Sequence, residues 1–257
     1  MTPPHLIGVD AVSKRYGSDV VVDDVTLDLG TPGITSIIGP NGAGKSTLLS
    51  MIGRLLPLDG GRITVDGLDV KAAAGSEVAR RLAVLRQDNH LAARLTVVDL
   101  VGFGRFPHSR GRLTADDRRH IDAAIDYLDL GAFRGRFLDE LSGGQRQRAF
   151  IAMVMAQDTA HVLLDEPLNS LDLRHAVDIM RLLRRTADER DRRVLVVLHD
   201  VNVAATYSDR IVAMADGRVV AAGPPSELIR PDVLEEVYGL PVDVHEIDGR
   251  RVVLTHP

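Results

Sequence analysis

Residues 39–47 read Gly39-Pro40-Asn41-Gly42-Ala43-Gly44-Lys45-Ser46-Thr47, residue types that together suit the grip of a polyphosphate. The run fits G-x-x-x-x-G-K-[ST], follows the apolar stretch 34–38 and opens a stretch of helical character. Its glycines let the backbone wrap an anion with N–H groups turned inward. Lys45 is placed for the β- and γ-phosphates and Ser46 for Mg²⁺, and the helix start adds a favourable dipole. From average residue usage a chance match in such a chain is on the order of one in a hundred. The expectation is a nucleoside triphosphate site.

Two further clusters extend the chemistry. Val162-Leu163-Leu164-Asp165-Glu166-Pro167 is an apolar strand ending in two carboxylates, a costly arrangement unless a cation waits at the tip. Asp165 suits Mg²⁺, directly or through water. Glu166 is the candidate general base that polarises an attacking water. The plainer reading, two solvated acids at a strand end, is outweighed by the phosphate cradle upstream. Leu141-Ser142-Gly143-Gly144-Gln145-Arg146-Gln147-Arg148 follows another logic. Ser142 and Gln145 form an S-x-x-Q capping box, so a well-capped helix start is the plain alternative. The Gly143 and Gly144 N–H groups at that start offer a second anion site. Two phosphate-grasping elements on one chain suggest a phosphate clamped between two subunits.

The elements that must hold these groups follow from hydrophobic pattern. Residues 6–29 alternate as antiparallel strands around a turn near Gly17-Ser18. The short apolar runs 34–38, 82–85, 162–164, 194–198 and 211–214 suit parallel strands buried on both faces. Helical stretches between several of them give an α/β pattern. The region 89–157 breaks that rhythm: Thr114 is an N-cap, Asp116 and Asp117 fill a first turn, and Gly131 is the expected stop. Ile121, Ile125 and Leu128 line one face between them. The expectation is a nucleotide-binding core of residues 1–88 and 158–257, with 89–157 as an inserted helical subdomain. Pro224, Pro225, Pro231 and Pro241 punctuate a short C-terminal tail, too small for a regulatory domain.

Composition narrows the function. A net charge of -5 argues against a free-standing nucleic-acid binder. The absence of cysteine excludes disulfides, thiolate metal sites and a cysteine nucleophile. The first ten residues lack a secretory pattern, and no apolar run approaches a membrane-spanning length. A membrane role must therefore come through a partner.

With these motifs in hand, the whole chain resembles the ATPases of ABC (ATP-binding-cassette) transporters. That resemblance implies a RecA-like P-loop core with an N-terminal antiparallel β subdomain, a helical subdomain, and ATP sandwiched with Mg²⁺ in a head-to-tail dimer. Residues 39–47 of one subunit and Ser142, Gly143, Gly144 and Gln145 of the other would hold the nucleotide. Tyr16 matches the residue that stacks on adenine, and Gln87 the glutamine that senses Mg²⁺ alongside Ser46 and Asp165. Ser170-Leu171-Asp172 matches a loop touching the opposite subunit, with Asp172 as its contact. His199 matches the histidine that reaches the γ-phosphate, making it catalytic with Glu166. Leu168-Asn169 stands where many relatives carry Thr-Thr or Thr-Ser, and Arg86 where proline is common; neither is expected to change a reacting group.

The segment 95–114 is similar to the Gly-Arg-x-Pro segment of ferric-siderophore, haem and cobalamin importers. Residues 147–158 and 165–172 look most like the ferric-siderophore branch, including petrobactin-type ATPases. The implied machine has two copies of this chain beneath two membrane permease subunits, peripheral at the cytoplasmic face and served by an extracytoplasmic siderophore-binding protein. Arg105, Arg110 and Arg112 beside Phe103, Phe106 and Pro107 are expected to be an exposed surface for a permease helix. A haem or cobalamin importer, an exporter motor, and a non-transport ATPase of DNA or ribosomes stand as alternatives.

Overall fold

A computed structural model describes residues 6–30, 32–87, 93–169 and 171–254. In chain order its strands and helices begin with β1 (Ile7–Tyr16), β2 (Asp19–Asp28), β3 (Gly33–Ile38), α1 (Lys45–Ile52), β4 (Gly60–Val65), β5 (Leu68–Asp69), α2 (Gly75–Ala79) and β6 (Leu82–Leu85). The helical region follows as α3 (Val97–Phe103), α4 (Phe106–Ser109), α5 (Ala115–Tyr127) and α6 (Gly143–Ala156). Then come β7 (His161–Asp165), α7 (Leu173–Arg190), β8 (Arg193–Val197), α8 (Val201–Tyr207), β9 (Arg210–Ala215) and β10 (Arg218–Gly223). The chain closes with α9 (Pro225–Leu228), α10 (Pro231–Tyr238), β11 (Asp243–Ile247) and β12 (Arg250–Leu254).

The central sheet has the order β10-β9-β3-β8-β7-β6. Five neighbouring strands are parallel, and β10 folds back antiparallel on β9. Their apolar runs are nearly continuous because both faces are covered. Leu163, Leu195, Val197 and Val212 point into one core with α1 and the antiparallel sheet. Val162, Leu164, Val194, Val196 and Ile211 point into the other, with the helical region and C-terminal elements.

The N-terminal sheet has the order β2-β1-β4-β5 and pairs β1 antiparallel with both β2 and β4. Alternation in 6–29 reveals β1 and β2; β4 and β10 are absent from the sequence reading, β4 pairing with the distant β1 and β10 turning back on β9 as a hairpin. Helix α5 starts as anticipated, with Thr114 Oγ1 accepting from the Asp117 N–H. It does not stop at Gly131. Leu128 is its C-cap and Asp129 turns left-handed, while Gly131 opens a separate 3-10 turn. Aspartate tolerates that backbone conformation, so no glycine was required. The C-terminal tail shares the main core, burying Leu228, Ile229, Leu234, Val237, Val242 and Val253. Asn202 of α8 fastens it, donating to the Val253 carbonyl at 3.1 Å and accepting from its N–H at 2.8 Å.

Candidate functional site

The parallel strands bring their C-terminal ends to one edge. Leu85 pairs with Leu164, while Ile37 and Asp165 both pair with Val197. Gln87, Glu166 and His199 lie one or two residues beyond these pairs, and the glycine-rich turn leaves β3 at the same edge. Gln87 and His199, 112 residues apart in sequence (199 − 87), would have no common site without this register. Ligands of open α/β sheets characteristically bind outside such strand ends.

The cradle surrounds a cavity of about 760 Å³ lined by Val21, Asn41, Gly42, Ala43, Gly44, Lys45, Ser46, Thr47, Gln87, Glu166, Asn169 and His199. Gly44 has φ +89°, and a Cβ there would stand 2.4 Å from the Val21 carbonyl oxygen. Only glycine meets both demands. No side chain caps α1 behind it, so the helix's first N–H groups are available to an anion. Lys45 is buried, its Nζ donating to the carbonyls of Gly39 at 2.9 Å and Pro40 at 2.8 Å. Burial lowers its pKa, opposed by the charges of Glu166 and Asp165.

Ser46 Oγ donates to Asp165 Oδ1 at 2.7 Å. Burial pushes the Asp165 carboxyl up, and the Ser46 bond opposes it. A compact cation would relieve that desolvated charge. Mg²⁺ characteristically takes one or two protein oxygens and completes its shell with phosphates and water. Ser46 and Asp165 fit that donor set; among the described residues no cluster of three or more His, Cys, Asp or Glu forms a self-sufficient metal site.

Glu166 sits at φ +48°, an uncommon conformation for a residue with a side chain. Its Oε2 accepts from Gln87 Nε2 at 2.6 Å and from Asn169 Nδ2 at 2.7 Å. His199 Nε2 stands 2.7 Å from Oε1. The sequence reading missed Asn169, seeing a variable position after the proline where the structure places a direct partner of the candidate base. Its signal was the spacing: the turn Glu166–Asn169, closed by the Asn169 N–H donating to the Glu166 carbonyl at 3.2 Å, returns position i+3 to position i.

Three other expected groups lie elsewhere. Tyr16 ends β1, 52% exposed, and does not line the cavity. Ser142, Gly143, Gly144 and Gln145 form the N-terminus of α6, with Ser142 Oγ accepting from the Gln145 N–H at 3.3 Å and Gln145 Oε1 accepting from the Ser142 N–H at 3.0 Å. They do not line the cradle of their own chain. Asp172 caps α7 beside them, and Ser170 lies outside the described residues.

The 103–112 segment divides in a way its sequence conceals. Arg105 is not exposed. It is 4% accessible, its Nε donating to Asp117 Oδ1 at 3.0 Å and its Nη1 to the Ala156 carbonyl at 2.9 Å. The guanidinium thus closes the C-terminus of α6 and pins α5 to it, where a cation complements the helix dipole. Gly104 permits this approach, since a Cβ there would fall 2.0 Å from the Met153 carbonyl oxygen. Phe103 and Phe106, on either side of these two residues, remain 52% and 60% exposed. They flank a groove of about 550 Å³ that also includes Leu95, Val98 and Leu113. Arg110 and Arg112 stay on the surface as expected.

The family profile described as ABC transporter matches residues 22–169. The petrobactin import ATP-binding protein YclP of Bacillus subtilis (strain 168) is 49% identical over 247 residues, spanning 96% of this chain and 98% of that protein. The petrobactin import ATP-binding protein FatE of Bacillus anthracis is 49% identical over 239 residues, spanning 93% and 96%. A bacterial ABC transporter cassette solved as a dimer superposes with a TM-score of 0.76 at 29% identity, covering 85% of this chain and 98% of that one.

Proposed function

The chain belongs to the ABC transporter family, and we propose that within it this is the ATP-hydrolysing motor of a ferric-siderophore importer of the petrobactin class. The observation that carries the catalytic part is the Glu166 carboxylate, held by Gln87, Asn169 and His199 at the mouth of the Lys45 cradle. ATP enters with its phosphates on the N–H groups of residues 42–47. Lys45 leaves the Gly39 and Pro40 carbonyls for the β- and γ-phosphates. Ser46 and Asp165, with Gln87, would hold Mg²⁺, which would neutralise phosphate charge. His199 turns to the γ-phosphate, and Glu166 accepts a proton from the water that attacks it. Tyr16, exposed at the end of β1, stacks on adenine.

The turn Ser142–Gln145 completes the site of a second copy, with Asp172 at the boundary between the two. Its position outside its own chain's cradle supports this, as does likeness to a cassette solved as a dimer. Among the described residues no helix is long and apolar enough to cross a membrane. Attachment to the cytoplasmic face is therefore through two permease subunits, each presenting a helix to the groove beside Phe103 and Phe106. The siderophore-binding protein outside the membrane meets the motor only through them, and no nucleic acid takes part.

Uptake of radiolabelled iron tests the reading. A strain lacking this chain should lose uptake from ferric petrobactin, recover it with the wild-type chain, and not recover it with Glu166→Gln. Normal petrobactin uptake with lost haem or cobalamin uptake would replace the substrate while leaving the motor. Loss of no import activity, with the protein bound to ribosomes or DNA, would overturn the importer.

A further inference from the structure

His175, one turn into α7, touches two segments that lie apart in sequence. Its backbone N–H donates to Asp172 Oδ1 at 2.8 Å, and its ring Nδ1 stands 2.8 Å from the same oxygen. An ionised aspartate only accepts, so Nδ1 carries the proton and donates. The far edge of the ring lies against Gly144. A Cβ on Gly144 would come within 2.1 Å of His175 Cδ2 and 2.7 Å of Nε2.

Ordinary capping of α7 needs the backbone bond alone. The imidazole adds a bridge that capping does not require, running from Asp172 to the second residue of α6. It also gives Gly144 a reason to be glycine beyond offering an N–H group: the histidine occupies the space of its side chain. Behind this bridge, Gln147 Nε2 donates to the Pro167 carbonyl at 2.9 Å, tying α6 to the same loop a second time. Ser142, Gly143 and Asp172 are left exposed at the tip of this double tie.

We propose that His175 is a positioning residue that fastens the Ser142–Gln145 turn to Asp172, so that both meet the second copy as one preformed surface. The proposal rests on the dimeric reading above. Ordering two separate flexible segments at the moment of association weakens binding; a bridge that orders them beforehand removes that cost. His175 touches neither the cradle nor Glu166, so its effect belongs to association.

The test uses the full chain in the Glu166→Gln background, which holds ATP. Adding His175→Ala should raise the protein concentration for half-maximal ATP-dependent dimerisation, followed by light scattering, by about tenfold or more. Affinity of the monomer for a fluorescent ATP analogue should stay within about twofold, and the thermal midpoint within about 3 °C. His175→Asn can place an amide donor near the Nδ1 position and should recover part of the loss. Dimerisation of the alanine variant within about twofold of its parent overturns the proposal. So does a loss that tracks a fallen thermal midpoint and is not recovered by asparagine. A parent that stays monomeric with ATP overturns the dimeric reading itself, and the proposal falls with it.

Discussion

His199 Nε2 lies 2.7 Å from Glu166 Oε1 while Gln87 Nε2 lies 2.6 Å from Oε2. The groups proposed for the γ-phosphate and for Mg²⁺ thus rest on the carboxylate proposed as the base. With Asn169 also on Oε2, the base is occupied at both oxygens. In the proposed mechanism, His199 and Gln87 leave these oxygens for the nucleotide before Glu166 accepts from water.

Glu166→Gln keeps the shape of that network and removes the base. ATP affinity should remain within about threefold while turnover falls by about 10²–10⁴. Lys45→Ala should abolish ATP binding, because the buried ammonium is the cradle's own cation. Nucleotide titration and phosphate release separate the two, and equal loss of binding in both variants would remove Glu166 from its role.

Asn169→Ala deletes a donor to a charged acceptor while leaving residues 39–47 intact. Hydrogen bonds to charged groups are worth about 1.5–3 kcal/mol, and about 1.4 kcal/mol corresponds to tenfold in rate. Turnover should fall by about tenfold with KM for ATP unchanged. Steady-state kinetics showing KM rising in step with a constant kcat would place Asn169 in ATP binding instead.

Arg105→Ala leaves the buried Asp117 carboxylate without its cation. Breaking such a pair costs about 3–5 kcal/mol; Arg105 is a residue of folding, and its substitution does not isolate coupling. Denaturant unfolding should show the loss. Arg105→Ala as stable as wild type would exclude the pair as a support.

Asp117 also gives a signature in acid. The Thr114 N–H and hydroxyl, followed by Arg105, hold its carboxyl down at about 2 against an ordinary 3.8. A depressed folded-state value adds stability above the unfolded pKa and loses it as pH falls toward the folded one. The thermal midpoint of wild type should therefore exceed that of Asp117→Asn near neutrality. The gap should close between about pH 4 and pH 2. A gap constant over that window would show that the ionised carboxylate contributes nothing.

Phe103→Ser with Phe106→Ser changes only the exposed rim of the groove. ATPase activity of the isolated chain should stay within about twofold, since surface substitutions away from special features cost little. Co-purification with the permeases and iron uptake should be lost. Retention of both would move the docking surface elsewhere.

Phosphate chemistry was legible because its residues are consecutive: 39–47, 162–167 and 141–148 each carry their purpose within a few positions. The parallel strands were legible as well, since burial on both faces leaves a continuous apolar run. The capping box Thr114–Asp117 likewise declares a helix start over one turn. What sequence hides is the partner that comes from far along the chain. Arg105 among phenylalanines reads as surface until α5 brings Asp117 to it and α6 offers its last carbonyls. Strand β4 finds its place by pairing with the distant β1. Gly144 shows its second role only when α7 lays His175 against it. Local pattern determined the chemical groups and most elements, because periodicity and turn chemistry act over a few residues. Tertiary packing alone decided which charge is buried, which aromatic is free and which donors converge on Glu166, because those depend on register between segments that sequence order does not relate.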